Sequence, residues 1–204
     1  AAPVLYSTLA RRGYFPVEEL STLRKFKSRL QGHPSIQYLP GIDMSTGSLG
    51  QGISAAVGMA LAGKIDKKDY RVYTILGDGE LEEGQVWEAS MCAAHYKLNN
   101  LTAFIDFNGL QIDGDITKVM NPCPIDKKFE AFGWNVLVID GHNYEEIIDA
   151  IEKAKECKDK PTAVVCKTIK GKGVSFMENQ AEWHGIAPSR EQCEAALKEL
   201  GGEN

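Results

Sequence analysis

TILGDGELEEGQVWEASMCAAHYKLNNLTAFIDFNG, residues Thr74–Gly109, decides how this chain folds. An apolar, β-branched run from Val72 to Leu76 stops at Gly77-Asp78-Gly79. A helical stretch follows, and a second apolar run, Leu101 to Phe107, stops at Asn108. Strand, crossover helix and strand form a parallel pair, so both strands end on the same sheet edge, one at an Asp and the other at an Asn. Ligands of open α/β sheets sit at these carboxyl ends. A carboxylate, an amide oxygen and a glycine without a Cβ suit a hard cation that carries a diphosphate, since magnesium takes oxygen ligands and usually enters through one or two carboxylates plus substrate phosphates.

Working outward, the pattern repeats. Trp134–Asp140 reads as a third strand, Tyr144–Cys157 as an amphipathic helix capped by Asn143, and Pro161 opens a fourth strand running to Lys167. Ser189 caps a last helix reaching Leu200. Before the first strand, Val4–Arg11 and Glu18–Phe26 read as short helices, and Leu49–Gly63 as a longer one with Ile53, Val57, Ala60 and Leu61 on one face. Lys127–Phe132 reads as a short helix, and Asp113–Pro124 as an irregular loop barred from regular structure by Asn121-Pro122-Cys123-Pro124. The expected fold is α/β, a parallel sheet with helices on both faces, in a single domain over residues 1–204.

Composition limits the function. The 204 residues are 43% hydrophobic and 25% charged, with a net charge of −5. That suits a globular domain with a substantial core and argues against nucleic acid as a partner. No apolar run approaches the roughly 20 residues of a membrane-spanning helix, and the opening residues do not read as a signal peptide. The five cysteines (92, 123, 157, 166 and 193) form no C-x-x-C pair or zinc spacing. They read as packing residues of a reducing, cytoplasmic protein.

Gly-Asp-Gly, a spacer of just under thirty residues and then Asn resembles the thiamine-diphosphate motif. That motif usually ends Asn-Asn, whereas Phe107-Asn108 leaves only the second Asn as a ligand. The extended resemblance is to transketolases. GHPSIQYLPGIDMSTGSLGQG (residues 32–52) is similar to their substrate and cofactor loops, and IKGKGVSFMENQAEWHG (residues 169–185) to a later loop. Similarity covers the whole chain, but only the first, diphosphate-binding domain of that enzyme. The resemblance implies a thiamine-diphosphate-binding fold. It also implies a metal site of Asp78, Asn108 and the Leu110 carbonyl holding magnesium, or calcium in its place. The activity implied is transfer of a two-carbon ketol unit between sugar phosphates, in the pentose phosphate pathway.

The resemblance further assigns Gly47, Ser48 and Leu49 to the cofactor, and Gly79, Asn108, Lys170 and His184 to its diphosphate end. His33 and His184 would meet the ketose as catalytic groups. Glu83, Trp87 and Glu88 would face a partner, so self-association is expected. Each residue also has a plainer reading. Gly77-Asp78-Gly79 suits a tight turn, Glu80, Glu82 and Glu83 complement a helix dipole, and Gly47–Gly52 could simply open a helix. His33 could be a surface-loop histidine, Lys172 competes with Lys170, and His95 and His142 read as structural.

In transketolases, the equivalent of Ala1-Ala2-Pro3 follows a Gly-His, and a Ser-Gly-His-Pro loop lies further upstream. Neither is in this sequence, nor is the pyrimidine-binding domain with its glutamate. The chain is therefore expected to be truncated or naturally divided. Some bacteria divide the enzyme, and this sequence looks like the first of such a pair, inactive without a pyrimidine-domain subunit. Other thiamine-diphosphate enzymes (a deoxyxylulose-phosphate synthase or an α-ketoacid dehydrogenase component) and a non-catalytic binding module are the alternatives.

Overall fold

Val72–Gly77 (β1) and Leu101–Phe107 (β2) are strands that pair in parallel, Val72 opposite Leu101 and Gly77 opposite Asp106. After a small antiparallel hairpin of Leu110–Gln111 (β3) and Gly114–Asp115 (β4), the chain forms Asn135–Asp140 (β5) and Thr162–Lys167 (β6). The main sheet is wholly parallel in the order β1-β2-β6-β5. Central β6 is buried from Thr162 to Cys166. Its sequence, TAVVC, is correspondingly a continuous apolar run rather than an alternating one. The registers bring the last residues of all four strands, Gly77, Phe107, Lys167 and Asp140, to one edge.

The computed structural model describes residues 2–201. The chain divides into two compact units, Ala1–Gly52 and Ile53–Asn204. In the first, Ala2–Arg11 (α1) ends before Gly13, whose φ of +84° is the left-handed conformation that closes helices. Tyr6, Leu9, Phe15, Leu30, Leu39 and Ile42 form its core, and the Tyr6 hydroxyl donates to the Gln31 carbonyl at 2.8 Å. The helix expected over Glu18–Phe26 is only a 3₁₀ turn, Val17–Thr22. There the Thr22 hydroxyl donates to the Glu19 carbonyl and meets Ser28, one of the local side-chain bonds that compete with a helix. Arg24 and Lys27 then turn the chain at φ +58° and +63°.

In the second unit, one face of the sheet is covered by Gln51–Ile65 (α2), Gly84–His95 (α3) and, further along, Ile125–Ala131 (α5). Val86, Ala89 and Ala93 of α3 repeat at helical spacing and pack with Leu76, Leu101, Ala103 and Ile105. The other face is covered by Tyr144–Glu156 (α6), whose Ala150 meets Val164 and Cys166. Asn143 caps α6 by accepting from the Glu145 and Glu146 amides. Ser189 and Gln192 form a reciprocal cap on Arg190–Glu199 (α7). Helices thus lie on both faces, as expected.

Residues 113–124, expected to be irregular, contain β4 and a single helical turn, Ile116–Val119 (α4). Asp115 creates that turn by accepting from the Thr117 amide, and a local cap of this kind leaves no hydrophobic period to read. Cys166 is buried, which pushes its thiol up to about 11, whereas Cys193 is exposed on α7, where packing does not explain it. No helix among the described residues is long and apolar enough to cross a membrane.

Ile105 is fully buried at the centre of β2. Ile105→Ala should destabilise the fold by about 2–5 kcal/mol, measured as the fall in urea-unfolding free energy.

Candidate functional site

β1 ends where it does because Asp78 turns the chain. Its backbone amide still donates to the Asp106 carbonyl at 3.2 Å, extending the sheet pairing by one residue. Its side chain then caps the 3₁₀ turn Gly79–Glu82 by accepting from the Gly79 amide at 2.9 Å. The other carboxylate oxygen accepts from the Gly109 amide at 2.6 Å. Gly109 has a φ of +77° and follows Asn108, whose side-chain oxygen accepts from the Leu110 amide at 3.0 Å. Asp78, Gly79, Asn108, Gly109 and Leu110 are therefore tied into one cluster across the tips of β1 and β2.

Asp78 is only 2% exposed. Burial raises its pKa above the ordinary carboxylate value. The amides of Gly109 and Gly79 oppose that shift, and the nearby charge of Asp106 adds to it. Among the described residues no cation pairs with it. Nor do three or more His, Cys, Asp or Glu side chains cluster there as a ready-made metal cage. A buried carboxylate with the Asn108 amide oxygen on the neighbouring strand tip offers oxygen donors of the kind hard cations take.

The neighbouring acids are turned to structural use. Glu80 accepts from the Gly77 amide at 3.1 Å, and Glu82 from the Gln111 side-chain amide at 2.7 Å. Gln111 also lies against Gly79, where an added Cβ would come within 3.1 Å of its own Cβ. Gln111 thus braces the Gly-Asp-Gly turn, a role that hydropathy and motif spacing gave no means of finding. Glu83 and Glu88 are exposed on or beside α3. Trp87, between them, is half-buried inside the chain, donating to the Leu81 carbonyl at 2.9 Å and packing on Phe129 and Phe132.

At the end of β6, Thr168 donates from its amide to the Phe107 carbonyl at 3.1 Å, and from its hydroxyl to the Asp106 carboxylate. Lys170 begins a loop closed by the Asn179 amide on the Lys170 carbonyl at 3.0 Å. Lys172, the competing base, lies 4.0 Å from Glu178. His184 ends a 3₁₀ turn, Ala181–His184. Partial burial and the charge of Lys170 lower its pKa, which favours the neutral ring. In the first unit, His33 and Gly47 meet. A Cβ on Gly47, at φ +134°, would lie 2.8 Å from the His33 ring. Ser48 and Leu49 are exposed beside them.

The family model for the thiamine diphosphate binding domain of transketolase matches residues 1–204. The chain belongs to the transketolase family. It is 50% identical over 202 residues to a 6-deoxy-6-sulfo-D-fructose transketolase subunit of Clostridium sp. (strain MSTE9), covering 98% of this chain and 73% of that one. It is 45% identical over 196 residues to an apulose-4-phosphate transketolase subunit of Phocaeicola vulgatus, covering 96% and 69%. The crystal structure of Campylobacter jejuni transketolase superposes with a TM-score of 0.91 at 36% identity, over 98% of this chain and 32% of that enzyme. The fold is therefore the transketolase thiamine-diphosphate-binding fold, and the chain spans about a third of that single-chain enzyme.

The charge on Asp78 has a testable consequence. Because its folded pKa is raised, the unfolded chain releases this proton first as pH climbs from about 4, and the stability Asp78 contributes falls across that window. The difference in unfolding free energy between the cofactor-free wild type and Asp78→Asn should therefore shift against the wild type as pH rises. A shift in its favour would show the two amide bonds outweighing burial.

Proposed function

We propose that this chain is the diphosphate-binding subunit of a divided transketolase, moving a two-carbon ketol unit from a ketose phosphate to an aldose phosphate once a pyrimidine-domain subunit is bound. The carrying observation is the buried Asp78 carboxylate clasped by the Gly79 and Gly109 amides at the tip of β1. The two divided relatives, named as transketolase subunits, support the need for a partner. Because the family model runs across both compact units, we read residues 1–204 as one domain. A cytoplasmic protein of the pentose phosphate pathway, associating also with itself, completes the reading.

The donor set fits a divalent ion. Asp78 would supply the charged ligand, Asn108 an amide oxygen and Leu110 its backbone carbonyl, with magnesium preferred and calcium its substitute. When bound, thiamine diphosphate supplies the electron sink through which a carbon–carbon bond beside a carbonyl is broken and remade. The chain's own groups bind, orient and move protons. Lys170 contributes positive charge toward the diphosphate, and Gly79 gives the backbone close approach. His184, whose pKa is lowered by partial burial and by the charge of Lys170, can accept a hydroxyl proton of the sugar. By family resemblance, His33 does the same at the reacting end of the ketose, and Gly47, Ser48 and Leu49 hold the aminopyrimidine end. Glu83 and Glu88 face outward on the α3 side and are offered to the partner, while Trp87 supports that helix from within.

Mixing decides the function. Ketol transfer from a ketose phosphate, apulose 4-phosphate or 6-deoxy-6-sulfofructose should be absent for this chain alone. It should appear once a pyrimidine-domain partner chain is added. Inactivity in every mixture would leave a non-catalytic binding module in its place.

Metal dependence is tested at Asp78. In calorimetry of thiamine diphosphate with magnesium, Asp78→Ala should lower affinity at least about 100-fold, the scale of a lost charged contact of roughly 3 kcal/mol. Unchanged affinity would remove Asp78 from the metal site.

A further inference from the structure

Among the described residues of the second unit, His142 is the one histidine whose ring accepts a backbone hydrogen bond at the sheet edge that carries the cofactor cluster. Its Nε2 accepts from the Ile169 amide at 2.7 Å, and its own amide donates to the Asp140 carboxylate at 2.9 Å. The residue before it, Gly141, donates from its amide to the Lys167 carbonyl at 2.8 Å. The approach is so close that a Cβ on Gly141 would lie 2.5 Å from the Thr168 methyl, 2.9 Å from the Cys166 Cβ and 3.2 Å from the Lys167 carbonyl. The turn after β5 is thus pressed against the exit of β6, and the histidine ring takes up the first free amide beyond it.

That amide is the last before Lys170. On its other side, Thr168 is tied to Phe107 and Asp106 of β2, and the Asp106 carbonyl accepts from the Asp78 amide. A lateral chain of hydrogen bonds therefore runs from the turn after β5 through the exit of β6 and β2 to the Asp78 backbone. Lys170 leaves the sheet between the His142 bond at Ile169 and the loop closure by Asn179. We propose that His142 is a positioning residue. Its unprotonated Nε2 fixes the backbone at Ile169 and thereby sets where Lys170, and the loop leading to His184, present their charge and proton-accepting groups. The catalytic consequence rests on the transketolase reading above, whereas the clamp itself does not.

The proposal requires the ring proton on Nδ1, because an Nε2 that accepts from an amide cannot carry one. The His142–Ile169 bond is exposed to solvent, so its loss should cost little global stability while loosening a defined piece of backbone.

Two variants, compared with wild type, separate the possibilities. His142→Phe keeps a ring and removes the acceptor, and His142→Gln restores an acceptor oxygen near the Nε2 position. On the chain alone, nitrogen NMR shifts should show the Nδ1–H tautomer in the wild type. Hydrogen exchange at the Ile169 amide should accelerate about tenfold in His142→Phe and return toward wild type in His142→Gln, with the thermal midpoint nearly constant across all three. In the complex with a pyrimidine-domain subunit, kcat should fall about tenfold in His142→Phe and recover in His142→Gln. An Nε2–H tautomer, unaltered exchange at Ile169, or a kcat that does not follow the exchange pattern would overturn the proposal. If the wild-type complex proves inactive, the transketolase reading fails while the tautomer and exchange measurements still judge the clamp.

Discussion

A single carboxylate at the end of β1 organises this molecule. Asp78 is withdrawn from water, yet its two oxygens are claimed by amides from two different segments, Gly79 just beyond it and Gly109 beyond the neighbouring strand. An ionised group in such a place costs free energy unless something positive comes to it. The fold supplies amide dipoles but, among the described residues, no ion pair. The result is a buried acid held by backbone amides at the tips of β1 and β2. The surrounding apparatus serves this residue. Parallel pairing brings the tips of β1 and β2 together, Gln111 braces the turn from behind, and Glu80 and Glu82 are bonded to the scaffold.

The same edge shows how a parallel sheet can align groups that are far apart in sequence. β6 enters between β2 and β5, so its exit segment has neighbours on both sides. Thr168 bonds to β2, while Gly141 and His142 bond to the segment from the β5 side. Lys170 is consequently launched from a backbone held laterally at three points rather than from a free loop. Beyond it, the loop is stabilised from within by Trp183 on Phe176, and at its far side by Glu199 of α7 accepting from Ser175. A long connection thereby acquires a definite shape with one 3₁₀ turn, Ala181–His184, as its regular structure.

The four main strands, their crossover helices and most caps were legible in the chain because each carries a local signal. Continuous apolar runs mark β2 and β6, a 3.6-residue period marks α3 and α6, and Asn143 and Ser189 sit where capping oxygens are needed. Where the reading missed, short-range hydrogen bonds had replaced hydrophobic periodicity. Thr22 and Ser28 reduced an expected helix to a 3₁₀ turn, and Asp115 organised a helical turn and hairpin within a segment read as irregular. In the site, Asp78, Gly79 and Asn108 announced themselves by spacing. Gln111 and His142 did not, since neither belongs to a pattern until strand register places it.

What the sequence determined by itself was the alternation of strands and helices and the presence of an acid and an amide at adjacent strand ends, because hydrophobic period and strand-ending residues are written locally. Tertiary structure alone decided that Asp78 would be buried between the Gly79 and Gly109 amides, that Gln111 would stand behind Gly79 and that His142 would hold Ile169. Those outcomes depend on which backbone amides arrive from distant segments, and only the register of the assembled sheet specifies that.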